Sequence, residues 1–314
     1  MPPKILVIDG PTASGKTALA VELALRHNGE VVSADSMQIY RTMDIGTAKP
    51  TPEEMRGVPH HMLDVADPWE DYSVARYVDQ AAACVENILA RGKLPIVAGG
   101  TGLYIDSLLS GRTFAAFSPD SSLRGELEER YRREGGETLL AELGSVDPES
   151  AGRLHPNDGK RIIRALEVYR TTGKTISWHN AQTKAIPPRY DALTLTLAFT
   201  RREDMWQRID RRVDEMMAQG LVAEVERLLA SGVPKGCTAM QAIGYKEMVS
   251  ALEGDGDTAA AAEEIKLRSR QYAKRQITWF RRKEGAKWLF WEERPDFEKA
   301  CRVSTEYMEE FGIV

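Results

Sequence analysis

The stretch Gly10-Pro11-Thr12-Ala13-Ser14-Gly15-Lys16-Thr17 narrows what this chain can fold into more than any other. It follows an apolar run at residues 5–8 and precedes a helical pattern at residues 18–25. The result is G-x-x-x-x-G-K-[ST] set between a strand and a helix, the context a phosphate loop requires. Glycines let the backbone curl so that successive N–H groups point inward, at a helix N-terminus with partial positive charge. Lys16 adds a mobile cation for the outer phosphates, and the Thr17 hydroxyl is a natural Mg²⁺ ligand. A turn that merely precedes a helix would not need this spacing. The loop implies a phosphate-bearing ligand, a nucleotide among the candidates, without saying which.

Short β-rich runs at residues 5–8, 31–34, 61–65 and 94–98 alternate with helical patterns, including one N-capped by Ser73 that runs to residue 89. This alternation predicts an α/β fold, a P-loop NTPase-like parallel sheet flanked by helices. Ligands of such sheets bind beyond the carboxyl ends of the strands, here residues 9–17, 35–38 and 99–102. Asp35 closes the second run as a Mg²⁺ ligand, a general base or a turn cap. Gln38 offers an amide donor and acceptor suited to the edge of an adenine, and Thr101 sits in a second glycine-rich turn. The polar segment 44–52 reads as a loop able to close over a site. His60 and His61 alternate across a strand and have no third ligand at a useful spacing, so they read as structural.

The pattern changes near Phe117. Residues 118–186 lack strand runs and carry charged helical segments at 123–133, 137–143 and 156–172, the last with Lys160, Arg161 and Arg164 on one side. A strand at 193–199 resumes the sheet. The expected organisation is a catalytic core of residues 1–117 and 187–314 interrupted by a helical insertion at 118–186. Residues 208–229 form an amphipathic helix broken at Gly220, and residues 239–245 hold a small-residue turn. In the helix at 265–283, Ile265, Tyr272, Ala273, Ile277, Trp279 and Phe280 share one half. The other half collects Arg268, Arg270, Lys274, Arg275, Arg281 and Arg282, in a chain of 314 residues whose net charge is −5. Such a local basic face suits phosphate-backbone contact. Three widely spaced cysteines exclude a C-x-x-C metal site and suggest free thiols in a reducing cytoplasm. No apolar run approaches a bilayer span, so neither a membrane partner nor a signal peptide is expected.

These stretches together resemble the bacterial tRNA dimethylallyltransferases (tRNA isopentenyltransferases) along almost the whole chain. The resemblance is carried by residues 10–17, 35–41, 46–50, 58–61, 99–104, 160–168, 241–247 and 270–281. It implies transfer of a dimethylallyl group from dimethylallyl diphosphate to N6 of adenosine 37 beside the tRNA anticodon, with Mg²⁺ assisting and diphosphate leaving. By the same resemblance Asp35, Thr101, Lys16 and Arg208 are catalytic, with Arg211 or Arg212 as alternatives to Arg208. Gly10 to Thr17 hold the diphosphate. Asp35, Ser36, Met37, Gln38, Thr101, Arg124, Lys160, Arg161, Arg164, Arg268, Arg275 and Arg282 contact the anticodon stem-loop. A cytoplasmic monomer is expected. The competing readings are a P-loop small-molecule kinase, an RNA-binding ATPase and an adenylate isopentenyltransferase that prenylates a free nucleotide.

Overall fold

The computed structural model describes residues 2–111, 121–184 and 186–314. The chain divides into two compact units, one made of Met1–Leu109 with Arg189–Val314, the other of Ser110–Pro188. The boundary expected at residues 117 and 118 lies outside the described residues.

The first unit is built on six strands: β1 (Lys4–Asp9), β2 (Gly29–Ser33), β3 (His60–His61), β4 (Leu94–Gly99), β5 (Asp191–Phe199) and β6 (Lys287–Trp291). They form one sheet in the order β3-β2-β4-β1-β5-β6, every neighbouring pair parallel. The α/β expectation holds. β1 lies at the centre, and Ile5, Leu6, Val7 and Ile8 are wholly buried, because helices cover both faces of the sheet. Each such side chain contributes about 1.5–3 kcal/mol on burial. The helix Lys16–Arg26 packs Leu19, Leu23 and Ala24 into this core, and the C-terminal helix Phe297–Phe311 adds Ala300, Cys301 and Met308.

The third strand is shorter than its sequence suggests. Only His60 and His61 pair with β2, because Met62 and Asp64 take left-handed backbone angles (φ 65° and 55°) that cannot continue an extended chain. Residues 62–65 turn instead, with Asp64 and Val65 donating N–H bonds to Gln38 and Ile39. β6 and the helix after it are not foreshadowed by the sequence reading. The basic helix spans Thr258–Phe280 and ends before Arg281, earlier than the expected residue 283. The 208–229 pattern resolves into Arg202–Gln219 and Leu221–Ala230, divided at Gly220 (φ 100°) as its glycine suggested.

The second unit is helical. Ser121–Glu134, Gly136–Val146 and Gly159–Thr172 pack Leu127, Leu139, Leu143, Ile162 and Leu166 into a core of their own. The chain leaves the first unit after Leu109 and rejoins it at Arg189, whose N–H donates to the Leu109 carbonyl at 2.9 Å.

Candidate active site

The carboxyl ends of β1, β2 and β4 converge on a cavity of about 580 Å³ in the first unit. Thr12 to Thr17 line one side, with Asp35, Gln38, Gly99 and Gly100 beside them and Arg208, Arg211 and Arg212 opposite. A second cavity of about 320 Å³ shares Thr12, Ala13, Asp35, Arg212 and Tyr272 with the first. Its remaining lining is more apolar, including Met37, Ile209, Val213, Met216, Ile243 and Ile265. Asp35 therefore stands where a polar chamber meets a greasy one.

The phosphate loop is shaped by backbone conformations that few residues tolerate. Gly10 has φ 144°, and a Cβ there would come within 2.4 Å of the Leu197 carbonyl oxygen. Ala13 holds φ 61°, at a cost of roughly 1–2 kcal/mol for a residue with a side chain. Neighbouring groups keep the loop in this shape. Arg208 Nε donates to the Ala13 carbonyl at 3.0 Å, Trp291 Nε1 donates to the Ser14 carbonyl at 2.8 Å, and Phe297 lies against Gly15. Trp291 and Phe297 thus give β6 and the last helix a role in the site.

Lys16 Nζ donates to the Pro11 carbonyl at 2.7 Å. Burial pulls its pKa down to about 8, nearby Arg212 adds to the shift, and the charges of Asp35 and Asp9 oppose it. Arg208 and Arg212 are also held below the usual guanidinium range, again chiefly by burial. The pocket is rich in poorly solvated cations, an arrangement that favours a multiply charged anion.

Asp35 Oδ1 accepts the Met37 N–H at 2.9 Å, which orients the carboxylate at its strand end. Thr101 lines neither cavity. Its Oγ1 accepts the Ser36 N–H at 3.0 Å and lies 3.3 Å from the Ser36 hydroxyl, tying the second glycine-rich turn to the loop that carries Asp35. Gln38 lines the larger cavity, but its amide is engaged internally, accepting from Ser33 Oγ at 3.1 Å and donating to the Ala48 carbonyl at 3.1 Å. Any contact from Gln38 to a ligand must displace one of these.

The segment 44–52 is anchored. The buried Glu224 carboxylate accepts the N–H groups of Asp44, Ile45 and Gly46 at 3.0, 2.9 and 3.1 Å, and the Tyr245 hydroxyl at 2.6 Å. Lys49 fastens the far end of the segment, bonding to the Tyr40 carbonyl and to Asp44 and Asp64.

The helix Thr258–Phe280 presents a row of side chains to the loops. Gln276 bonds to Thr12 and Gly100, the Trp279 indole N–H donates to Asp106 at 2.8 Å, and Lys283, just past the helix, reaches the buried Asp9 at 2.8 Å. Burial raises the Asp9 carboxyl above its usual range, with Lys283 opposing. Trp279, on the apolar half of the helix, is 38% exposed, its ring lying over Gly102 with the indole nitrogen turned to Asp106. Two of the six cations of the basic face are already committed: Arg268 pairs with Glu264 and Arg270 with Asp210. Lys274, Arg275, Arg281 and Arg282 are exposed and have no ion pair among the described residues.

Sequence reasoning missed Tyr272 and Gln276 as site residues. Both line the larger cavity, and the Tyr272 hydroxyl is pushed up to about 12 by burial, with the Asp35 charge adding to it. The available signal was a lone amide on an apolar helix stripe beside Ala273 and Phe280, where only a partnered polar group belongs.

The second unit holds Arg124, Lys160, Arg161 and Arg164. Arg124 and Arg164 both bond to the fully buried Glu167, at 2.8 and 3.0 Å, and with Lys160 they line a cavity of about 660 Å³. Lys160 and Arg161 are exposed. No group of three or more His, Cys, Asp or Glu side chains suited to a metal occurs among the described residues.

Comparison with known proteins agrees with this geometry. The IPP transferase family model matches residues 38–283, and an isopentenyl transferase model matches residues 3–69. The tRNA dimethylallyltransferase of Acetivibrio thermocellus is 47% identical, covering 98% of both chains. That of Caldanaerobacter subterraneus is 48% identical over 97% of both. Among solved structures, a tRNA isopentenylpyrophosphate transferase from Bacillus halodurans superposes with a TM-score of 0.74 at 41% identity, covering 98% of this chain and 96% of the other. A eukaryotic dimethylallyltransferase acting on tRNA gives 0.82 at 30% identity, covering 98% and 80%.

Proposed function

The chain belongs to the IPP transferase family, and on that premise we propose that it is a tRNA dimethylallyltransferase. Its reaction carries the dimethylallyl group of dimethylallyl diphosphate to N6 of adenosine 37, in the anticodon stem-loop of tRNA. The observation that carries this reading is the position of Asp35, shared by a cationic chamber at the phosphate loop and an apolar chamber beside it. A prenyl diphosphate has that same division of polarity.

The loop N–H groups and Lys16 hold the diphosphate, with Arg208 and Arg212 on its far side. As the C1–O bond breaks, charge collects on the departing diphosphate, where these fixed donors stabilise it. The allylic carbon gains cationic character against the apolar wall and forms its new bond to N6. The amine proton passes to Asp35, whose Oδ1 is held by Met37 and whose Oδ2 is left to receive it. Thr17 lines the same chamber with a hydroxyl of the kind Mg²⁺ takes alongside substrate phosphates, so it fits this ion. When bound, Mg²⁺ supplies further charge neutralisation to the leaving group.

A stacked adenine cannot reach Asp35, so the base is extruded from its loop, at about a few kcal/mol. Met37, Gln38 and the exposed Arg275 at the chamber, the other exposed cations of the 258–280 helix, and Arg124, Lys160, Arg161 and Arg164 of the second unit are the groups offered to the RNA. The enzyme acts as a monomer in the cytoplasm, and among the described residues no helix is long and apolar enough to cross a membrane. A small-molecule kinase would share only the phosphate loop and is not favoured, given relatives that match end to end.

The test is a mass shift on unmodified anticodon stem-loop RNA incubated with the protein, Mg²⁺ and dimethylallyl diphosphate. One dimethylallyl group on the RNA and none on AMP supports the reading. Prenylation of AMP alone, or consumption of ATP without transfer, overturns it.

A further inference from the structure

Gln276 is 5% exposed and uses both ends of its amide. Its Oε1 accepts the Thr12 N–H at 2.9 Å and its Nε2 donates to the Gly100 carbonyl at 2.9 Å. One side chain therefore fastens the phosphate loop after β1 to the glycine-rich turn after β4. Its approach is close enough that a Cβ on Gly100 would come within 2.4 Å of Nε2. A carboxamide offers an acceptor to one loop and a donor to the other from two separate atoms. The bond to Thr12 also lies one residue before Ala13, the left-handed position of the loop, whose carbonyl Arg208 holds from the opposite side.

We propose that Gln276 is a positioning residue for the diphosphate, fixing the Thr12–Ala13 turn so that the loop N–H groups converge on the anion before it arrives. The inference rests on the reading of the bound anion as a diphosphate. It places the determinant of donor affinity on the helix whose exposed side carries Lys274, Arg275 and the cations after it. A preformed loop binds more tightly because less ordering remains to be done on binding.

The experiment compares the full-length protein with Gln276→Met, which keeps length and packing but loses both hydrogen bonds, and with Gln276→Glu, which keeps only the acceptor. Inorganic pyrophosphate with Mg²⁺ is titrated by calorimetry, tRNA affinity is measured by filter binding, and initial rates separate the two Michaelis constants. The expected result for Gln276→Met is pyrophosphate affinity and donor KM worse by about tenfold, the loss of two buried hydrogen bonds to a structured loop. Affinity and KM for tRNA stay within about twofold of the parent, a split that general loosening of the fold would not give. Gln276→Glu is weakened as well, and carries the test if the methionine variant does not fold. A folded variant that binds pyrophosphate as tightly as the parent overturns the proposal, as does an equal loss for tRNA and pyrophosphate. Weaker pyrophosphate binding in the variant, together with no RNA prenylation by the parent, would fault the reaction assigned above and still support the loop role.

Discussion

The Lys16 ammonium is bonded to the carbonyl oxygen of Pro11, 2.7 Å away and five residues earlier in the same loop. The cation of the phosphate loop is thus held over its own backbone, poorly solvated, with a pKa brought down to about 8. A lysine with a lowered pKa is charged below that value and neutral above it. Binding of dimethylallyl diphosphate to the protein alone is accordingly expected to weaken as pH rises through 8, by about tenfold between pH 7 and pH 9. Calorimetry across this range checks it. Lys16→Arg, which does not titrate, should bind with no such step.

Asp35→Asn keeps an oxygen for the Met37 N–H and removes the base. Turnover should fall by about 10²–10⁴-fold, while the affinities for tRNA and for dimethylallyl diphosphate remain near the parent values. Single-turnover rates alongside equilibrium binding separate the two effects. Substantial turnover by this variant would remove Asp35 as the proton acceptor.

The four hydrogen bonds converging on Glu224 make it the fastening of the 44–46 segment. Glu224→Ala leaves three backbone donors and the Tyr245 hydroxyl without their acceptor, and should cost about 3 kcal/mol of stability. Glu224→Gln, which keeps one carbonyl oxygen, should lose less. Denaturant unfolding of both variants against the parent measures the order.

Cations with and without an ion pair along residues 258–282 should behave differently toward RNA. Arg275→Glu combined with Arg282→Glu is expected to weaken tRNA binding at low salt by tenfold or more and to lower the slope of log K against log salt by about 1–2. Arg270→Ala, which breaks the pair with Asp210, should instead act mainly on stability. Filter binding at several salt concentrations distinguishes them. An unchanged slope in the double variant would show that this face is merely solvated.

Local signals announced the parts of the site that local chemistry builds. The phosphate loop, the acid at the end of β2, the second glycine-rich turn and the break at Gly220 each follow from a residue type whose backbone or side chain has few other uses. Long-range pairing was less legible. The aromatic run Lys287 to Trp291 is β-prone, but its place beside β5 is set by long-range pairing, and nothing in Trp291 or Phe297 announces that they brace a loop more than 270 residues earlier. The third strand failed for the opposite reason: an apolar, β-prone run was overridden at Met62 and Asp64 by turns that bond back to Gln38 and Ile39. The basic helix reads correctly as basic. The pairing of Arg268 with Glu264 lies within the helix, but that of Arg270 depends on Asp210, which a helical wheel of one helix cannot include.

Leu109 and Arg189 are the two ends between which the helical unit is mounted. The polypeptide departs from one and returns at the other, and the two are joined by a backbone hydrogen bond. To the sheet, everything between them is equivalent to a surface hairpin, since the entropy of closing an excursion grows only with the logarithm of its length. A segment mounted in this way can be lengthened, trimmed or exchanged across generations while the strands on either side keep their register. The helical unit can therefore evolve at its own pace, with the strand ends around Asp35 left undisturbed.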